Sequence, residues 1–244
     1  MAIVNGIAME SNKNIRVNFE GGNLSSDAGL LLMKEFYHKF GVDTLAKAVF
    51  HTTDPGHIRY HKDHDNLLQM LYQITAAYFQ DDHADALRHD PAITAAVGKE
   101  ALASQPTLSR FHNRLDEHTL AQLEEMQKTL RRRAYSVKMP ENVLFDLDST
   151  LLATFGKQEG SAFNYHYQAN GYHPLLCFDG MTGDLLKMEL RPGTQYCCKG
   201  AAEFMHPLME EFQENYPNTA LFLRGDSGFA TNELYNVCER SEEH

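Results

Sequence analysis

The sequence lacks a long apolar run. No segment of its 244 residues approaches the roughly 18 to 20 uninterrupted apolar positions of a membrane-spanning helix. The N-terminal residues MAIVNGIAMESNKN also lack the charged start and apolar centre of a secretion signal. These absences exclude a transmembrane protein and predict a cytoplasmic one. The apolar fraction of 43% is enough for one large core or two smaller ones.

Cysteine is scarce and lacks the spacing of a zinc site. The four cysteines, Cys177, Cys197, Cys198 and Cys238, contain no CxxC pair, and two of them are adjacent in sequence. Adjacent cysteines are poorly placed to ligate one tetrahedral ion. We therefore predict reduced, structural thiols.

Positive charge is also in deficit. The chain has 22 lysines and arginines against 33 aspartates and glutamates, a formal net charge of -11. Proteins that coat nucleic acid without specificity draw their affinity from neutralising phosphates, so this balance excludes that class. Any contact with DNA must then be local. The main basic cluster is Arg131, Arg132 and Arg133, which either contact backbone phosphates or complement the dipole of a helix end.

The first 138 residues have the pattern of helices. Apolar residues recur every three or four positions in residues 23–40, 66–79 and 117–135. Ser25, Ser26 and Asp27 are candidate N-caps for the first of these helices. We predict a helical domain over residues 1–138.

Residues 106–115 predict a further helix with two open interpretations. It is either the second helix of a helix-turn-helix that presents Arg110, Asn113 and Arg114 to DNA, or an ordinary amphipathic helix. In the second interpretation Leu108, Phe111 and Leu115 point inward.

Beyond residue 138 the pattern changes to short strands. Apolar runs predict strands at 143–147, 173–180, 184–190 and 219–226, with helical spacing at 200–216 and 231–239. Residues 155–171 are a polar, aromatic and glycine-rich stretch, and residues 156–160 within it are predicted to form a flexible loop. The order fits an α/β fold: a mixed sheet with packed helices, as in the ribonuclease H-like fold, over residues 139–244.

Two of these apolar runs stop at an aspartate, Asp148 in VLFDLDSTLL and Asp226 in ALFLRGDSGF. Carboxylates delivered to the rim of a sheet suit Mg²⁺, which takes one or two carboxylates together with water and phosphate oxygens. Asp146 lies two positions before Asp148 and shares its face of the strand. The residues themselves therefore point to metal-assisted phosphoryl transfer.

The string FDLDSTL resembles the first motif of haloacid-dehalogenase-type phosphatases. That resemblance implies Asp146 as nucleophile and Asp148 as general acid. The family's closing motif has a second acid a few residues after a Gly-Asp pair. Here Gly225 and Asp226 are followed by no acid before Glu233.

A second resemblance covers nearly the whole chain. The strings VNFEGGNLSSDAGLLLMKEF, LASQPTLSRFHNR, FDLDSTLLATFGKQEGSAFNYHY, HPLLCFDGMTGDLLKMELRPG and LRGDSGF are similar, in order and spacing, to group-one DDE transposases of bacterial insertion sequences. The resemblance implies Asp148 and Asp226 as catalytic acids that hold Mg²⁺ or Mn²⁺, with Asp146 as a neighbour or further metal ligand. It also implies terminal inverted repeats of DNA as partner, and a homo-oligomer fits this role.

The family's third acid is a glutamate in a tyrosine, arginine, glutamate, lysine signature. No position of this sequence matches it, which predicts a C-terminally truncated catalytic domain with little or no activity. Two alternatives stay open: a DNA-binding remnant without catalysis, and the phosphatase.

Overall fold

The computed structural model describes residues 6–18, 26–54 and 58–242. The chain forms two compact units, Met1–Val137 and Lys138–His244. Helices dominate the first unit, and the second is a mixture of helices and sheet, so the fold is of the α/β kind. Within the described part of the chain, no helix combines the length and apolar character needed to cross a membrane.

The N-terminal unit packs its helices around an apolar core. A short antiparallel pair, β1 (Ile7–Ala8) and β2 (Arg16–Val17), comes first. The helices described after it are α1 (Leu30–Phe40), α2 (Val42–Val49), α3 (Asp63–Thr75), α4 (His83–Ala86), α5 (Pro91–Val97), α6 (Gln105–His112) and α7 (Glu117–Val137). Tyr72, Ile93 and Phe111 are among the buried residues of this core.

The first helix begins later than the sequence predicted. Residues 23–25 of that prediction, with the candidate cap Ser25, lie outside the described residues. Residues 26–29 form turns, and α1 starts at Leu30. Gly29 precedes the helix as its N-cap, and the Oδ2 of Asp27 accepts hydrogen bonds from Ser26 Oγ at 3.1 Å and from Tyr78 Oη at 3.0 Å.

Asp63 at the start of α3 ties three segments of this unit together. Its Oδ2 accepts hydrogen bonds from the Thr52 backbone N–H and hydroxyl at 3.0 and 2.8 Å, and its Oδ1 accepts one from Arg114 at 3.0 Å. Burial raises the pKa of Asp63, but these bonds and the charge of Arg114 outweigh burial and hold the pKa below its usual value. The ionised carboxylate therefore stabilises the fold above the unfolded-state pKa of about 3.9, and this contribution is lost as pH falls through the lower folded-state pKa.

Replacing Asp63 by asparagine is expected to lower the free energy of unfolding by about 2 kcal/mol at neutral pH, because buried donors lose a charged acceptor. The gap between wild type and variant should narrow as pH falls below about 4, because the Asp63 carboxyl of the unfolded chain then binds a proton more readily than that of the folded chain. Urea unfolding at neutral and acidic pH measures both values. A gap that stays constant with pH would contradict this role for the Asp63 charge.

The C-terminal unit contains the strands predicted from residue 143 onward. Its elements are β3 (Asn142–Ser149), β4 (Leu152–Ala153), β5 (Ala162–Asn164), β6 (Ala169–Tyr172), β7 (Leu175–Asp179), β8 (Leu185–Glu189), α8 (Ala201–Asn215), β9 (Ala220–Gly225), a 3-10 turn (Ser227–Phe229) and α9 (Asn232–Glu242). The predicted helices at 200–216 and 231–239 are confirmed as α8 and α9, with shifts of one to three residues at their ends.

The main sheet of this unit has the strand order β8-β7-β3-β9. The central strand β3 is antiparallel to β7 and parallel to β9, which makes the sheet mixed. Helix α8 covers one face of it, where the rings of Phe145 and Phe212 meet at 5.1 Å, close to perpendicular. Edge-on contacts of this kind and the burial of Val143 and Leu147 anchor β3 in the core.

A second, three-stranded sheet has the order β4-β6-β5. The sequence analysis predicted no strand within residues 155–171, and the structure places β5 and the start of β6 there. Both strands are too short, at three and four residues, to show a clear alternation. Asn164 at the end of β5 is buried, and its Oδ1 accepts hydrogen bonds from the N–H groups of His166 and Tyr167 at 2.9 and 3.1 Å.

Candidate metal and active site

The alternation of β3 separates its apolar residues from its acids. Val143, Phe145 and Leu147 are buried on one face, while Asp146 and Asp148 lie on the other. Asp148 is exposed near the end of the strand, and Asp226 is exposed directly after β9. The carboxylates therefore lie where a substrate can reach them.

The parallel register of β3 and β9 brings Asp148 and Asp226 together. Asp146 pairs with Arg224 and Leu147 with Gly225, so the next step of the same register sets Asp148 beside Asp226. Both side chains line one cavity of about 390 Å³. Adjacent parallel strands thus present two carboxylates at the same end of the sheet.

One oxygen of each carboxylate is fixed by backbone. Asp148 Oδ1 accepts a hydrogen bond from the Ser149 N–H at 2.7 Å, and Asp226 Oδ1 accepts one from the Gly228 N–H at 2.8 Å. The backbone of Gly228 lies close to the side chains of Cys197 and Asp226. A β-carbon at this position would lie 2.7 Å from Cys197 Sγ and 3.0 Å from Asp226 Oδ1. Among the described residues no hydrogen bond is recorded to Oδ2 of either aspartate, which leaves those oxygens for a ligand.

Asp146 is engaged differently. Its two oxygens accept hydrogen bonds from Arg224 Nε at 2.8 Å and Nη2 at 2.6 Å, a bidentate pair across β3 and β9. These bonds hold the pKa of the Asp146 carboxyl below its usual value. Asp146 does not line the cavity that Asp148 and Asp226 share. The structure therefore places it as a neighbour of the two acids.

Aromatic side chains form much of the cavity wall. Tyr165 and Tyr167 come from the turn between β5 and β6, and Tyr196 comes from the segment after β8. Tyr165 and Tyr196 are 80% and 79% exposed, so their ring faces are available to a ligand. The sequence analysis missed these residues, although the string AFNYHY carried the signal as aromatics alternating with smaller or polar residues.

Arg191 holds the segment that carries Tyr196. Its guanidinium is buried and donates to the carbonyl oxygens of His173 at 2.9 Å and Lys199 at 2.5 Å. Gly193 lies within the same segment and packs against backbone. A β-carbon at this position would lie 2.3 Å from the carbonyl oxygen of Ala162 and 2.5 Å from that of Gly171. The wall of the cavity therefore depends on glycine at position 193.

The donor set fits a hard divalent cation that takes part of its coordination from substrate. Within the part of the chain that the structure describes, no group of three or more histidine, cysteine or acidic side chains could enclose a metal ion. Two carboxylates are nevertheless the usual protein contribution to a Mg²⁺ site that is completed by water and phosphate oxygens. Asp148 and Asp226 would hold such an ion through their Oδ2 atoms.

The arginines predicted to bind DNA fall into two groups. Arg110 is exposed on α6, and it lines a cavity of the N-terminal unit together with Arg114. Asn113 is exposed directly after the same helix. Leu108 and Phe111 are buried on the opposite face of α6, but Leu115 is 38% exposed, so the expectation that it points inward was wrong.

The second group lies near the end of α7. Arg131 is buried at 8% exposure, and Arg133 donates to the carbonyl oxygens of Phe40 and Gly41 at 2.8 and 2.9 Å. Arg132 is exposed and pairs with Glu125 at 3.3 Å. Two of these three arginines thus have structural contacts within the unit.

Comparison with known proteins adds one strong match. The family model described as transposase DDE domain, group 1, matches residues 7–244. No curated protein matches the chain.

Solved structures give weaker likenesses. A Mos1 transposase paired-end complex with the left transposon end is 12% identical, with a TM-score of 0.29 over 91% of this chain and 67% of that one. A Mos1 mariner paired-end complex with Mn is 14% identical, with a TM-score of 0.29 over 87% of this chain and 65% of that one. The chain thus spans about two thirds of their length, and at these TM-scores the likeness carries no argument.

Proposed function

Because the chain belongs to the group 1 family of DDE transposase domains, we propose that it takes part in insertion-sequence transposition by metal-dependent phosphoryl transfer on DNA. The observation that carries this proposal is the register of β3 and β9, which brings Asp148 and Asp226 to one cavity. In the proposal these two aspartates are the catalytic acids and the metal ligands. Terminal inverted repeats are the DNA partner, and two ends in one complex call for a homo-oligomer.

The proposed catalytic domain, residues 139–244, is part of a ribonuclease H-like fold. The strand order of its main sheet supports this assignment, because β3 lies between an antiparallel β7 and a parallel β9, with β8 outside β7. The first acid then lies on the first strand of the sheet, and the second lies at the end of the fourth. Residues 1–138 are the proposed DNA-binding domain, with Arg110, Asn113 and Arg114 as contacts.

The residues of the cavity have separable roles in this reaction. Asp148 and Asp226 would hold Mg²⁺ or Mn²⁺, which would supply charge stabilisation and activate an attacking oxygen. The backbone N–H groups of Ser149 and Gly228 each hold Oδ1 of one carboxylate, which leaves Oδ2 for the ligand. Tyr165 and Tyr196 offer exposed rings on which unpaired bases near that phosphate stack.

The third acid of the family signature has no match in these 244 residues. We therefore propose that this polypeptide by itself binds metal and DNA but transfers strands weakly at most. No observation in the structure favours the phosphatase, because both oxygens of its would-be nucleophile Asp146 accept bonds from Arg224.

Metal binding coupled to DNA binding tests this function. Mn²⁺ affinity is measured by electron paramagnetic resonance for the purified chain, with and without a short DNA duplex, and corrected for the duplex alone. We expect DNA to raise Mn²⁺ affinity, and Mn²⁺ to raise DNA affinity by the same factor, because phosphate oxygens complete the coordination. Equal Mn²⁺ affinity in both conditions, together with turnover of p-nitrophenyl phosphate, would replace this proposal with the phosphatase.

A further inference from the structure

A second cavity, of about 430 Å³, lies in the N-terminal unit. Asn66 in the first turn of α3 lines it, facing Thr107 and Arg110 of α6 and Arg114 just beyond that helix. Thr107, Arg110 and Arg114 are three and four positions apart, which is the spacing of residues on one face of a helix. None of these residues belongs to the candidate catalytic cavity.

Polar atoms at this cavity lack hydrogen bonds. Asn66 is only 1% exposed, and within the described structure neither its Nδ2 nor its Oδ1 has a partner. Arg114 Nε is also buried without a hydrogen bond, and its nearest recorded carboxylate oxygen, on Asp54, is 4.0 Å away. Buried amides are nearly always hydrogen-bonded, so two donors and one acceptor without partners at one cavity point to a ligand.

The charges around the cavity leave one guanidinium available. Arg59 pairs with Asp54 at 2.6 Å, and Arg114 pairs with Asp63 at 3.0 Å. Arg110 is exposed, and its recorded side-chain bond is a long one to Thr107 Oγ1, at 3.3 Å. In the described part of the chain no ion pair is recorded for Arg110. An incoming anion therefore does not have to displace a carboxylate from it.

We propose that this cavity binds an adenine nucleotide of a DNA strand, with the base edge on the Asn66 amide and the phosphate on Arg110. A phosphodiester group of the DNA backbone supplies only acceptors and would leave Asn66 Oδ1 without a donor. Adenine presents the N6 amino donor beside a ring-nitrogen acceptor, which matches the two atoms of an asparagine amide. The phosphate of the same nucleotide then meets the guanidinium of Arg110.

Asn66 is buried at the wall of the cavity. The amide must turn toward the cavity to meet a base, and it breaks no hydrogen bond when it does so. The inference rests on the proposed function only in taking DNA as the partner. It uses neither Asp148 nor Asp226, so loss of metal binding and loss of the adenine preference can be told apart by experiment.

The test compares labelled single strands of deoxyadenosine and deoxythymidine of equal length, by fluorescence anisotropy at low salt with the full chain. Wild type is expected to bind the adenine strand about tenfold more tightly, the discrimination typical of one bidentate amide contact. Asn66→Leu should abolish the preference and raise the melting temperature, because it removes a buried amide without partners. Asn66→Ala gives the same affinity readout if leucine does not fit.

Charge variants separate the phosphate contact from the base contact. Arg110→Gln should lower the affinity for both strands by the same factor. It should also reduce the slope of log affinity against log salt by about 0.7. Lys39→Gln, which removes a positive charge on α1 that pairs with Glu10, should leave both affinities unchanged. Equal wild-type affinity for the two strands, or a preference that survives in both Asn66 variants, would overturn the proposal. Free dAMP that binds as tightly as the strand would overturn the assignment to DNA.

Discussion

Replacing either Asp148 or Asp226 by asparagine is expected to lower the Mn²⁺ affinity of the DNA-bound chain by on the order of 100-fold or more. Each substitution keeps the shape of the side chain and removes one of the two negative charges that the cavity offers a cation. A metal ligand of this kind contributes several kcal/mol, and each 1.4 kcal/mol is a factor of ten in affinity. The measurement is Mn²⁺ binding by electron paramagnetic resonance in the presence of duplex DNA, with circular dichroism to verify the fold.

Asp184→Asn is the matched control for these variants. Asp184 lies in the turn between β7 and β8, at the opposite end of the sheet from Ser149, and its Oδ2 accepts a hydrogen bond from Thr182 at 3.0 Å. The same change of charge there should leave Mn²⁺ affinity unaltered. A larger loss in Asp146→Asn than in Asp148→Asn would assign the first catalytic acid to Asp146 and overturn the choice of Asp148.

Gly193→Ala is expected to destabilise the C-terminal unit by about 3 kcal/mol, at the upper end of the usual cost of overpacking. The added methyl would meet the backbone carbonyl oxygens of Ala162 and Gly171, which cannot move aside as a flexible side chain would. The strands β5 and β6 must then shift away from residue 193, and the bond from Asn164 Nδ2 to the Gly193 carbonyl oxygen, at 2.8 Å, is lost or stretched.

Thermal unfolding followed by circular dichroism should show a melting temperature lower by roughly 6 to 12 °C for Gly193→Ala. Gly29→Ala is the control, because Gly29 has a φ of -59° and no atom within 4 Å of the added β-carbon. A Gly193→Ala protein that melts at the wild-type temperature would show that the segment around residue 193 is not packed against β5 and β6 as described.

The sequence predicted the elements that depend on local pattern. The alternation in VLFDLDST is such a local signal, and β3 covers Asn142–Ser149. The helix predicted from residue 23 begins at Leu30 instead, and the Asp27 carboxylate accepts a hydrogen bond from Tyr78, 51 positions away in the sequence. No local pattern reports that contact.

In the candidate site, too, features set by local sequence were predicted, and features set by contacts between distant residues were missed. The two strand-ending aspartates stood out in the sequence, since a carboxylate after an apolar run is a local feature. The wall around them was missed because it depends on β5 and β6 pairing with each other and on Arg191 holding the following segment. From sequence alone, Arg191 and Arg133 are candidates for phosphate binding because both are basic. In the structure both donate hydrogen bonds to backbone carbonyl oxygens.

The Asp146–Arg224 pair has a consequence for how the protein folds. These residues are 78 positions apart, as are Asp148 and Asp226, so the two carboxylates meet only after β3 and β9 close a long loop. Loops of this length close slowly, because the entropy of the intervening chain is lost before the strand contacts form. A slip of one residue between β3 and β9 would move Asp226 out of step with Asp148, and it would also break the bidentate pair. The Asp146–Arg224 ion pair, two positions before the two acids along the strands, therefore favours the register that sets Asp148 beside Asp226.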